Sequence, residues 1–115
     1  MVLWIGFDLQ GEIEAGDGSN WTALHLAAAY GKEAVAAQLL QAGASVSAVD
    51  DDGSTPLHTA AYNGKSSIAN LLLQANASPT AVDKDGDTPA QYAKQYGYGD
   101  FAAMLLEAEQ AAALK

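Results

Sequence analysis

The chain has no cysteine among its 115 residues. Disulfides, thiolate nucleophiles and cysteine-held metal sites are therefore excluded, and the usage suits a reducing compartment such as the cytoplasm. Arginine is absent too: the five basic residues are all lysines, against 14 acidic residues, for a formal net charge of −9. Nucleic-acid binding needs clustered Lys and Arg to neutralise phosphates, so that class of partner is excluded. Anionic membrane surfaces are excluded for the same reason. No apolar run is long enough to span a bilayer; Val2-Leu3-Trp4-Ile5-Gly6-Phe7 meets Asp8 at once. That run also lacks a basic flank and a cleavage site, so it reads poorly as a signal peptide. No phosphate loop, Gly-x-Ser-x-Gly motif or Cys/His cluster occurs. No catalytic, cofactor-binding or metal-ligating residues are assigned, and an enzyme or small-molecule binder is disfavoured.

What the chain does have is a period. The segments Thr22-Ala-Leu-His-Leu-Ala-Ala, Thr55-Pro-Leu-His-Thr-Ala-Ala and Thr88-Pro-Ala-Gln-Tyr-Ala-Lys begin 33 residues apart. Gly31, Gly64 and Gly97 follow at one common offset, and Leu39-Leu40, Leu72-Leu73 and Leu105-Leu106 at another. A period of this size means stacked units, none able to bury its apolar face alone, and about three are needed for stability. The units run over about 17–49, 50–82 and 83–115, preceded by an atypical segment over 1–16.

Within each unit the punctuation predicts helix, turn, helix, loop. Thr22, Thr55 and Thr88 stand where an N-cap hydroxyl is wanted, and Pro56 and Pro89 follow at the first helical position. Gly31, Gly64 and Gly97 close the first helix; Gly43 and, at the same register, Asn76 close the second. The second helices carry Val35, Leu39 and Leu40, then Ile68, Leu71 and Leu72, then Phe101, Met104 and Leu105, each set on one face. The pairs Ala27-Ala28 and Ala60-Ala61 let neighbouring layers approach closely. Asp50-Asp51-Asp52-Gly53 and Asp83-Lys84-Asp85-Gly86 read as tight turns. The stopping signal is missing in the last unit, where Glu109 takes that register, so its second helix should run long.

The repeat resembles the ankyrin repeat, whose cue is Thr-Pro-Leu-His-x-Ala at this spacing, over roughly residues 17–109. The second unit fits best. The first has Ala23 for Pro and Asn20 for Gly; the third has Ala90 for Leu and Gln91 for His. The resemblance implies an all-α solenoid with protruding β-turn fingers at the Asp-rich turns. It also implies a protein-interaction module without enzymatic activity, cofactor or metal.

Residues 2–15 break the pattern. Phe7, Leu9, Ile13 and Ala15 alternate with Asp8, Gln10, Glu12 and Glu14, a period of two. This segment reads as extended, standing in for a cap, and leaves two assemblies open: a monomer, or a dimer paired through this strand.

His25 and His58 are the chain's two histidines and recur at one repeat offset, so each is read as holding its Thr-x-x-His turn rather than a metal. The run Asp83-Lys84-Asp85-Gly86-Asp87 fails the EF-hand pattern, which wants Gly sixth and Glu twelfth. Asp side chains bonding their own backbone explain it without an ion. The ankyrin resemblance places Trp21, Tyr30, Tyr62, Tyr92 and Tyr96 at or near the concave groove and finger bases, and binding surfaces favour such residues. Tyr92 is the one most expected to pack on the next unit. The expected partner-binding set is Trp21, Tyr30, Asp51, Asp52, Tyr62, Asp85, Asp87 and Tyr96. An acidic finger row favours another protein with a basic surface. A rival reading is an engineered or truncated scaffold without a natural partner.

Overall fold

The structure, a computed structural model, describes residues 21–113. The expectations for residues 1–16, an extended cap and a strand-paired dimer, lie outside the described residues. Six helices occur among those described: α1 (Ala23–Tyr30), α2 (Glu33–Gln41), α3 (Pro56–Tyr62), α4 (Ser66–Gln74), α5 (Pro89–Gln95) and α6 (Gly99–Ala113). The pairs α1/α2, α3/α4 and α5/α6 each pack together. Across pairs, α1, α3 and α5 stack into an inner layer, while α2 and α4 pack in the outer layer.

The caps explain where each inner helix begins. Thr22, Thr55 and Thr88 sit in extended backbone, and each hydroxyl accepts the N–H three residues on, from His25, His58 and Gln91. That third residue's side chain reaches back to the threonine N–H, which closes a capping box. Pro56 and Pro89 occupy the first turn, where a missing N–H costs nothing.

The helix ends are equally regular. Lys32, Lys65 and Tyr98 donate their backbone N–H to Ala27, Ala60 and Ala93 at 3.0, 2.9 and 2.9 Å. These are the 6→1 bonds of a Schellman turn, and they require a left-handed residue just before. Gly64 supplies it in the second pair, at φ 69°. Asn76, at φ 74°, does so after α4, where Asn is the best substitute for glycine.

The core follows the small residues. Ala27, Ala28, Ala60 and Ala61 are buried between inner helices, as the alanine pairs predict. The outer helices bury a somewhat different face from the one expected. Ile68, Ala69 and Leu72 are buried on α4, and Phe101, Ala102 and Leu105 on α6, while Leu71 and Met104 are only partly buried. Ala36, Ala69 and Ala102 line the seam because an outer helix closes tightly only where a small residue faces the layer. The last helix spans 15 residues against 9 for α2 and α4, as the missing stop predicts.

Gly64 carries a second constraint. A Cβ there would meet the Tyr98 ring at 2.8 Å, whereas one on Gly97, at φ 86°, would meet nothing within 4 Å. Gly64→Ala should therefore destabilise by about 1–3 kcal/mol, combining backbone strain with displacement of the ring. Gly97→Ala should cost less, since strain alone acts. Urea denaturation followed by circular dichroism ranks the two; equal effects would contradict the packing of Tyr98 on Gly64.

Candidate protein-binding face

The finger turns are built from aspartate. Asp50 Oδ1 accepts the N–H groups of Asp52 and Ser54, both at 2.9 Å, and its Oδ2 accepts the Trp21 indole N–H at 3.0 Å. Asp83 repeats the arrangement: Oδ1 accepts from Asp85 and Asp87 at 3.0 Å each, and Oδ2 accepts the Tyr92 hydroxyl. Lys84 donates its backbone N–H to the Asp52 carbonyl at 3.0 Å, linking one finger to the next. The fingers are turns rather than strands among the described residues.

The histidines join these turns to the helices. His25 Nε2 lies 2.8 Å from the Ser54 carbonyl, and His58 Nε2 lies 2.8 Å from the Asp87 carbonyl. A carbonyl only accepts, so Nε2 carries the proton and the imidazole is neutral with Nδ1 as acceptor. Nδ1 of each ring then accepts the N–H of its own threonine at 3.2 Å. The repeat pattern anticipates the bond to threonine. The bond to the following finger spans 29 residues, and no local signal announces it.

Burial alone would raise the Asp83 pKa. The hydrogen bonds from Tyr92, Asp87 and Asp85 outweigh it and hold the carboxyl below its ordinary value. Tyr92 moves the other way, pushed up by burial and then by its bond to the Asp83 carboxylate.

The expected binding residues divide by environment. Tyr30, Tyr62 and Tyr96 are 66%, 51% and 46% exposed. Asp51, Asp52 and Asp85 are exposed and Asp87 is partly so. Trp21 is only half-exposed, with its ring stacked on His25 at 6.2 Å and its N–H committed to Asp50. The structure brings Tyr62 and Tyr96 together, with ring centroids 4.7 Å apart and planes 56° from parallel. Tyr92 joins them edge-on, 6.4 Å from Tyr62 and 5.5 Å from His58. Tyr92 thus packs backward on the second pair, not forward on a next unit, because its hydroxyl is drawn to the Asp83 turn. The Tyr96 hydroxyl is pushed above its ordinary pKa by desolvation and then by the Tyr62 phenol beside it. Tyr98 lies outside the expected set; its register holds lysine in the other units, Lys32 and Lys65, which hid its aromatic role over Gly64.

Carboxylate oxygens of Asp83, Asp85 and Asp87 lie within 4.8 Å of one another. Asp83 already receives two amides and a phenol, so its place in the turn accounts for it without an ion.

The family model for ankyrin repeats, in three copies, matches residues 8–83 and 24–114. The chain belongs to the ankyrin-repeat family. Among curated proteins no significant match is found. Ankyrin repeats are generally protein–protein interaction modules and typically lack enzymatic activity. No helix among the described residues of this ankyrin-repeat chain is long and apolar enough to cross a membrane.

Two outcomes test this framework. His58→Ala strands the Thr55 N–H, leaves the Asp87 carbonyl with the Asp83 N–H alone, and should destabilise by about 1–3 kcal/mol. Chemical denaturation measures it, and an unchanged midpoint would contradict the link between pairs. Asp83 has a lowered pKa in the folded state, so its contribution is complete above the ordinary value of 3.8 and is lost as pH falls through the folded value. Asp83→Asn should therefore lower stability at pH 7 and flatten its acid dependence below about pH 4. A parallel acid profile in wild type and variant would remove this role.

Proposed function

We propose that this protein binds a partner protein through its inner-helix face and finger tips, and that the partner presents a basic surface. The observation that carries the reading is the exposed Tyr62–Tyr96 pair beside an acidic turn. Neither ring is needed to close the core, and a tyrosine gives a large contact area while ordering few torsions. Tyr30 extends the same chemistry to the first pair, and Trp21 adds a held edge near the Asp50 finger. The carboxylates of Asp51, Asp52, Asp85 and Asp87 steer a basic partner and mainly speed its arrival. We place the protein in the cytoplasm, a reading supported by the absence of cysteine.

Affinity purification with mass spectrometry, run in parallel on wild type and Tyr62→Ala/Tyr96→Ala, tests the reading. A partner that uses this face should bind the double variant at least about tenfold more weakly, the scale of losing aromatic anchors. The variant's helical circular dichroism should stay as in wild type. The partner's association rate with the wild-type chain should fall as salt rises. Partners retained equally by both chains would place the binding elsewhere.

A further inference from the structure

A chain of contacts joins the ring pair to the acids, through the part-buried Tyr92 and the buried Asp83. Tyr62 and Tyr96 touch; Tyr92 abuts Tyr62 and donates its hydroxyl to Asp83. The Asp83 turn carries Asp85 and Asp87, and Lys84 ties it to Asp52 of the preceding finger. Lys84 is the one base within the two finger sequences. Lys94 stands two residues before Tyr96, a spacing that does not set two side chains side by side on a helix. Its register is that of Ala28 and Ala61, which face the following layer.

We propose that this surface receives an arginine side chain from an extended basic segment of the partner, the guanidinium lying on the Tyr62–Tyr96 pair while flanking basic residues meet Asp52, Asp85 and Asp87. This rests on the function proposed above and narrows it to one partner chemistry. A phenol ring presents a negative face that attracts a cation. Guanidinium is planar and weakly hydrated, so it stacks on a ring and keeps its N–H edge for a carboxylate; ammonium is compact and strongly hydrated. An acidic segment would be repelled by a chain of net charge −9. A wholly apolar segment would strip water from the finger carboxylates without pairing them.

The test uses the full chain and three labelled synthetic peptides with Gly-Ser spacing: one with three arginines, one with three lysines, one with three glutamates. Fluorescence anisotropy is read at low and moderate salt. The arginine peptide should bind about fivefold tighter than the lysine peptide, the worth of roughly one exposed cation–π contact, and the glutamate peptide should not bind. Tyr96→Leu should erase that preference, and Tyr96→Trp should keep it, because Trp is the better π face. Equal binding of the arginine and lysine peptides, or no binding of either, would overturn the arginine assignment. The wider reading would then stand if a purified partner still depended on Tyr62 and Tyr96, and would fall with it if none did.

Discussion

A neutral imidazole bridging two repeats is the interaction on which this stack depends. In the first two pairs, histidine closes its own capping box through Nδ1 and ties the following finger through Nε2. The ring is fully buried at both sites, so each nitrogen left without a partner would carry the whole cost of its lost hydration. The carbonyl it reaches also accepts the N–H of Asp50 or Asp83, the residue that opens the same turn. One side chain therefore sets where an inner helix starts, how far away the next layer lies and where the next finger stands. The buried alanines make that distance attainable: larger residues at Ala28 or Ala61 would hold the layers apart.

The third pair keeps the box and drops the bridge. Gln91 still accepts the Thr88 N–H, at 2.7 Å, but its side chain is exposed. Lys94 takes the register of the buried Ala28 and Ala61 and is exposed as well. Polar side chains are thus exposed on α5 where Ala28 and Ala61 are buried in the earlier pairs. Ala90 replaces the leucine of the second pair on the inner helix, while Phe101 replaces Ile68 on the outer one, so apolar volume moves from one helix of the pair to the other.

The finger acids serve two separate ends. Asp50 and Asp83 spend their oxygens on backbone amides and an aromatic donor, and their role is to hold the turn. Asp52 and Asp85 instead give the turns their backbone N–H groups and hold their carboxylates toward water. The aromatics divide in the same way, Tyr92 pinned to Asp83 and Tyr62 and Tyr96 exposed. The proposed recognition surface uses residues that the scaffold does not, held in place by those that it does.

The sequence by itself determined the units, their caps and their ends, because each rests on neighbours within a few residues. A threonine reaches an N–H three positions on, and a glycine or Asn76 adopts a left-handed turn where it stands. The missing stop at Glu109 foretold the long last helix for the same local reason. Which side chains meet across the stack was decided only by tertiary structure. His25 to Ser54, Trp21 to Asp50 and His58 to Asp87 each span 29 residues, and the distance between layers, not the residue type, selects them. Tyr92 shows the difference most plainly. Its bulk told of packing, but its direction followed from a carboxylate that the fold alone brings within reach of its hydroxyl.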